Sequence, residues 1–452
     1  MTNPGVPVRI PTRLAADARR VITKMFVPGD EVPEHESRAG AVIRRILALD
    51  EQTVTATLAR TMSSFGGRHH DLGRTFARHF GSVSHRLALG AAPSAERRQL
   101  IGAYFTHEYS TEAAALFNPS IVEHPDQGGL GADRTRFVLS VRGVGEGHIS
   151  SIGFRTGILG PGRRLSMDPA HTPLTTGRPT PVTYSRSLFA GKLAETGGDD
   201  EVSAYVVRHL PEQFTAAQLE RQLGDIHPGL VAGRGMEVTT ERARWIAACN
   251  RAVEFPQDTP LSSRVLWPGG PSESSGMEDA RFVSFVDESG AREYCATYTA
   301  FDGTDVAPQL LRTKDFRTFQ VSQLTGPAAR NKGMALFPRR VGGRFLALSR
   351  GDGESTAITS SADMLHWETP HPLQAPRRTW ELVQVGNCGS PVETSRGWLV
   401  LTHGVGPVRE YSIGAMLLDL TDPSRVLGSL DEPLLTADAS ERDGYVPNVV
   451  YT

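Results

Sequence analysis

Thr313-Lys314-Asp315-Phe316-Arg317-Thr318-Phe319 and Ser361-Ala362-Asp363-Met364-Leu365-His366-Trp367 lie 48 residues apart and share one pattern. A hydroxyl residue is followed by an Asp two positions later and by an aromatic four positions beyond that. An Asp that caps its own turn while an aromatic tucks beneath it accounts for the spacing. Short β-rich runs lie around these corners. ARFVSFVD (280–287), MALFPRRV (334–341) and SPVETS (390–395) read as first strands, with EYCATYTAFDG (293–303), RFLALSRGDG (344–353) and GWLVLTHGV (397–405) as their partners. Upstream, FNPSIVEH (117–124) and RFVLSVRGV (136–144) make the same pair. Repeats of about 40–50 residues holding several short strands are the mark of propeller blades. First strands near 117, 280, 334, 390 and 446 predict a mainly β fold, a five-bladed β-propeller. The last blade shows its first strand alone, VPNVVYT (446–452), and so reads as truncated.

The period is different ahead of the first blade. RLAADARRVITKMF (13–26), SRAGAVIRRILALD (37–50), QTVTATLARTM (52–62), DLGRTFARHFGSVSHRLAL (71–89) and SAERRQLIGAYFTHEYSTEAAALF (94–117) space apolar residues three and four apart. That is the period of amphipathic helices. Residues 1–115 are therefore expected to form a helical N-terminal region, with 116–452 as the β domain. A polar, partly helical stretch over 155–255, including TAAQLERQLGDI (215–226) and TTERARWIAACN (239–250), reads as an insertion within that domain.

Composition narrows the function classes. A net charge of -2 argues against a broad basic surface for nucleic acid or anionic membrane. Cys249, Cys295 and Cys388 are far apart and odd in number, so neither a disulfide framework nor a thiolate zinc site is expected. The N-terminal residues lack a basic-then-apolar signal, and no run approaches the roughly 20 apolar residues of a membrane helix, which predicts a cytoplasmic protein. HExxH, GxSxG and the P-loop pattern are absent, His69, His70 and His124 lack partners at metal spacing, and GVGEGH (143–148) has no helix after it. No metal or cofactor is expected.

The inner strands of a propeller line a channel, and ligands bind at one mouth. Equivalent ends of the partner strands carry Arg142, Tyr298, Arg350 and His403. Three cations in register predict an anion site. Asp279, in SSGMEDARF (274–282), enters a first strand at the same end. One acid beside a cationic cluster suits protonation of a leaving oxygen while a bound anion attacks.

GMEDARF (276–282), NKGMALFPRRVGGRFLALSR (331–350), GNCGSPVETSRGWLVLTHGV (386–405), YSIGAMLLDLTDPSRVLG (411–428) and GYVPNVVY (444–451) together resemble glycoside hydrolase family 130, over about 117–150 and 260–452. The resemblance implies a five-bladed propeller and either a β-mannoside phosphorylase or a β-1,2-mannosidase. It implies that Asp279 is the acid, passing its proton through the sugar 3-hydroxyl, while inorganic phosphate attacks with inversion to give α-mannose 1-phosphate. Lys332, Arg350 and His403 match the family's phosphate-binding residues, and Tyr411 a tyrosine near the phosphate. Asn118, Ser120 and Arg142 match positions that hold the sugar, and Arg281 follows the acid as in the family. The basic trio favours phosphate over water as the nucleophile; Glu354 and Glu393 are the candidate bases for a hydrolase. A binding-only propeller is the reading from another class. β-1,2-Mannosides are the expected substrates, ahead of β-1,4-linked ones. Helical additions on propellers of that family often serve as interfaces, which allows a homo-oligomer.

Overall fold

The structure, a computed structural model, describes residues 7–29, 37–87, 92–198, 200–226 and 234–452. Parts of the separators PGDEVPEH (28–35) and GAAPS (90–94), and the end of the 71–89 run, lie outside the described residues. The chain is mainly β, with strands concentrated after residue 105.

Helices Arg38–Leu47, Glu51–Phe65, Leu72–Val83 and Ala95–Tyr104 form the N-terminal cluster. Each starts at a side-chain cap, from Ser37, Asp50, Asp71 and Ser94 respectively, which supplies an acceptor for an otherwise orphaned N–H. Their apolar faces meet in a core of Ile43, Val54, Phe76, Leu100, Ile101 and Phe105. Two sequence expectations fail here. Within 13–26, the β-branched run makes the strand Val21–Met25, with no helix. Within 94–117 the helix stops at Tyr104, and Thr106–Ser110 pairs antiparallel with Val21–Met25. Interstrand pairing outweighs the weak helical period of both segments.

Among the described residues four antiparallel strand groups follow one another along the chain, numbered here as the first to fourth sheets, the first two being joined in one 12-stranded sheet. The first holds Ala115–Glu123, Thr135–Val144 and Ser150–Gly160. The second holds Gly276–Val286, Arg292–Phe301, Val306–Thr313 and Thr318–Gln323, and touches the first through the parallel pair Gly276 and Ser150. The third runs Ala335–Leu336, Phe345–Ser349, Thr356–Ser361 and His371–Gln374. The fourth holds Gln384–Asn387, Gly397–Val405, Tyr411–Leu418 and Val426–Ser429, with Val392–Thr394 on the outer half of Gly397–Val405. Gln384–Asn387, unnoticed in the sequence, takes the inner half that SPVETS was expected to fill. The expected last strand, 446–452, is not a strand: a parallel bridge between Tyr411 and Val449 ties this segment to the fourth sheet. Thr452 Oγ1 donates to the Pro119 carbonyl of the first sheet at 3.4 Å.

The two corners behave as their spacing predicts. Asp315 Oδ1 accepts from the N–H groups of Arg317 (2.8 Å) and Thr318 (2.9 Å). Asp363 Oδ1 accepts from Leu365 (2.8 Å) and His366 (2.9 Å). Phe319 and Trp367 are fully buried beneath them. Phe316 and Met364, at equivalent places, both take left-handed backbone (φ 53 and 68).

The insertion is less helical than expected at its start. Strand Ser150–Gly160 runs on past residue 155, and helices occupy Arg186–Glu195, Glu201–His209, Ala216–Gly224 and Arg234–Ala248 around their own apolar core. The chain then rejoins the β domain as Arg251–Glu254, which pairs with Thr318–Gln323.

A buried charge cluster joins the N-terminal part to the first sheet. Glu112 accepts from Arg20 Nε at 2.8 Å and from Arg155 Nη2 at 2.7 and 2.9 Å, and all three side chains are almost wholly buried. Removing the shared carboxylate strands two buried guanidinium groups. Glu112→Ala is therefore expected to cost about 3–5 kcal/mol in urea unfolding, against less than about 1 kcal/mol for removing the exposed partner Glu393, which pairs with Arg339.

Candidate active site

A cavity of about 570 Å³ opens where the four sheets and the 445–451 segment meet. Asn118 and Arg142 come from the first sheet, Glu278 and Asp279 from the second. Lys332 and Arg350 flank the strands of the third, Gln384, His403 and Tyr411 come from the fourth, and Tyr445 and Tyr451 close one wall.

Two β-bulges aim the first of these groups. The pairing register slips between Phe117 and Ser120 in one strand and between Glu278 and Arg281 in the next. Asn118 (φ 53) and Asp279 (φ 55) sit at those slips in left-handed backbone. A bulge inserts one residue and redirects a side chain, and Asn and Asp bear positive φ better than most residues. Here the two redirected side chains meet: Asn118 Nδ2 donates to Asp279 Oδ1.

Arg142 is the hub of the charges. Its Nη1 donates to Asp279 Oδ1 at 3.1 Å, its Nη2 to Glu278 Oε1 at 2.6 Å, and its Nε to Ser150 Oγ at 2.8 Å. Burial alone would raise the Asp279 carboxyl. The charges of Arg142 and Arg281 and the bonds from Asn118 and Arg142 outweigh it, holding the group below its ordinary value. At neutral pH Asp279 is a carboxylate.

The expected phosphate-binding residues all reach the cavity, in unequal states. Arg350 Nη1 donates to His403 Nε2 at 3.0 Å. That bond makes Nε2 an acceptor and leaves the proton on Nδ1. Burial, reinforced by Arg350 and Arg281, lowers the His403 pKa to about 3. The expectation of three cations in register is thus corrected: His403 is a neutral group beside the Arg350 guanidinium. Lys332 Nζ donates to Glu278 Oε2 at 2.7 Å. Tyr411 stacks on His403 with centroids 5.9 Å apart, and Tyr451 meets His403 edge-on at 4.8 Å.

Other expected residues lie elsewhere. Ser120 Oγ accepts from the Phe282 N–H at 2.9 Å, stitching the first sheet to the second behind the cavity wall. Arg281 is buried one layer down, its guanidinium 4.6 Å from the Tyr451 ring centre. Tyr298 is buried away from the cavity and donates to Glu273. Glu354 is exposed and absent from the cavity wall, and Glu393 pairs with Arg339 at 2.6 Å on the outer surface. Glu278, Gln384, Arg409, Tyr445 and Tyr451 line the cavity without having been singled out for it. The left-handed turn Val408–Arg409 (φ 56 and 58) has no glycine to announce it.

Residues 256–452 match the family model of glycoside hydrolase family 130, described as β-1,4-mannooligosaccharide phosphorylase. The chain is 37% identical over 124 residues to a 1,2-β-oligomannan phosphorylase of Thermoanaerobacter sp. (strain X514), covering 27% of this chain and 42% of that protein. It is 32% identical over 193 residues to a β-1,2-mannobiose phosphorylase of Listeria innocua serovar 6a, covering 41% and 53%. The chain thus spans about half the length of these curated relatives. Among solved structures, the β-1,2-mannobiose phosphorylase from Listeria innocua in complex with β-1,2-mannobiose aligns over 76% of this chain and 82% of that one, at 22% identity and a TM-score of 0.43. Among the described residues no group of three His, Cys, Asp or Glu could hold a metal ion, and no helix is long and apolar enough to cross a membrane.

The state of His403 carries a pH signature. Its folded pKa, about 3, lies below the ordinary 6.5, so below 6.5 the unfolded chain takes up a proton that the folded chain refuses. Stability from this group is complete above about pH 6.5 and is lost as pH falls toward 3. His403→Gln should therefore flatten the fall of Tm between pH 7 and pH 4; an unchanged slope would place the acid sensitivity elsewhere, with the buried His79 the next candidate.

Proposed function

We propose that this chain is an inverting glycoside phosphorylase that cleaves β-mannosides, β-1,2-linked ones first, with inorganic phosphate, and releases α-mannose 1-phosphate. In this reading the four sheets are blades of a five-bladed propeller, residues 116–452 are the catalytic domain and residues 1–115 a helical addition to it.

The observation that carries the reading is the make-up of the cavity wall. Asp279 stands beside Arg142, Lys332 and Arg350, while the carboxylates among the described lining residues are Glu278 and Asp279, both bound to Arg142. An inverting hydrolase needs a second carboxylate free to activate water, about 6.5–9.5 Å from the acid. Glu354 and Glu393, the candidates for that task, lie off the cavity. A divalent anion is well served by the same wall, because charge-assisted bonds from guanidinium and ammonium groups offset its loss of water. The similarity to a 1,2-β-oligomannan phosphorylase and to a β-1,2-mannobiose phosphorylase supports this choice.

The chemistry then follows. A phosphate oxygen attacks the anomeric carbon from the face opposite the glycosidic oxygen, and the carbon–oxygen bond to the leaving sugar breaks. The leaving oxygen takes a proton that originates on Asp279 and passes through the 3-hydroxyl of the bound mannose. Inversion converts the β-linkage into an α-phosphate. Asp279 must first gain that proton. The Arg142 and Arg281 charges that hold it ionised are offset once a phosphate dianion binds nearby, which raises its pKa. Lys332, Arg350 and His403 hold the phosphate, with Tyr411 beside it; Asn118 and Arg142 shape the sugar side, and Arg281 and Ser120 support it from behind.

The test is product analysis on β-1,2-mannobiose with and without phosphate. Mannose 1-phosphate is expected only with phosphate, with Asp279→Asn slower by about 10²–10⁴-fold. Equal release of free mannose in both conditions would identify a hydrolase instead, and binding without turnover would identify a carbohydrate-binding protein.

A further inference from the structure

The mechanism above leaves Glu278 without a task, yet each of its oxygens is held by a cation. One oxygen accepts from Arg142 Nη2 at 2.6 Å and the other from Lys332 Nζ at 2.7 Å. The side chain is 9% exposed and borders the same cavity as Arg350 and His403. Lys332 is placed by its backbone: Asn331 (φ 58) and Gly333 (φ 90) are both left-handed, and Gly333 packs against the Arg350 side chain. The ammonium group lies on the cavity wall, with its charge balanced by Glu278.

We propose that Glu278 is an internal stand-in for the phosphate anion, a positioning residue that holds Lys332 toward the cavity and gives it up when phosphate binds. The proposal rests on the phosphorylase reading and names the residue that sets phosphate affinity within it. Two physical consequences follow. First, phosphate competes with a carboxylate already in place, so its affinity is lower than the cations alone would allow. Second, Glu278 keeps its bond to Arg142 after releasing Lys332, so Arg142 remains shared between two carboxylates and does not turn wholly to Asp279. A carboxylate on either side of one guanidinium thereby keeps Asp279 easier to protonate than a lone Arg142–Asp279 pair would.

The experiment is a double-mutant cycle read by direct phosphate binding in calorimetry on the full chain, without sugar. Glu278→Gln removes the competing charge and keeps the shape; it is expected to bind phosphate about tenfold tighter than the unaltered protein. In the Lys332→Met background the same change should tighten binding by less than about twofold, because the contested cation is gone. Steady-state kinetics give the second readout: a lower KM for phosphate together with a lower kcat in Glu278→Gln, a split that a general loss of packing does not produce. Weaker or unchanged phosphate binding in Glu278→Gln, with the unfolding midpoint preserved, overturns the proposal, as does equal tightening in both backgrounds. If the unaltered protein binds no phosphate at all, it is the phosphorylase reading that fails.

Discussion

The guanidinium of Arg142 carries the arrangement on which the cavity depends. Two carboxylates that are neighbours in sequence repel each other in a partly buried wall, and a shared cation offsets that repulsion. Arg142 meets both through separate nitrogens and is itself anchored by Ser150 across its own hairpin. Its fork geometry suits that double task, which a lysine could not perform with the same direction. From this one group the charge pattern spreads outward: Glu278 passes it to Lys332, and Asp279 is fixed opposite Asn118.

The frame around that hub is rigid because its corners and bulges are specified locally. The Asp-capped corners end outer strands in the second and third sheets and bury an aromatic each, while the bulges at Asn118 and Asp279 concentrate strain at the cavity. Left-handed residues recur around its edge, at Asn331, Arg409 and Asn448 as well. Such conformations persist only where surrounding structure over-determines them, and they gather where side chains must point in directions a regular ladder forbids. The 445–451 segment adds aromatic walls without adding a strand, lying between the fourth sheet and Pro119 of the first.

The unequal states of the cavity's basic groups matter for its chemistry. A neutral His403 accepting from Arg350 is a hydrogen-bonding partner and not a third positive charge. Lys332 is a cation whose partner is built in. What looks in one dimension like a uniform cationic cluster is therefore graded, from the exposed Arg409 at the rim to the buried Arg281 behind Tyr451.

The sequence by itself determined the features whose physics is local. An Asp two residues after a hydroxyl and four before an aromatic must cap its own turn, and the 48-residue spacing of two such corners declares a repeated sheet. The strand pairs of residues 117–144, 280–303, 334–353 and 390–405 were legible for the same reason, as was the gathering of Arg142, Arg350 and His403 at equivalent strand ends. Where a segment's partner lay far away, its period misled: Val21–Met25 looks helical until Thr106–Ser110 is beside it, and VPNVVYT looks like a strand although it finds a single bridge. Only the tertiary structure decided that Ser120 serves the frame, that Glu354 and Glu393 stand clear of the cavity, that His403 is neutral and that Glu278 occupies Lys332. Burial and ion pairing depend on distances between residues tens to hundreds of positions apart, and no spacing along the chain encodes those distances.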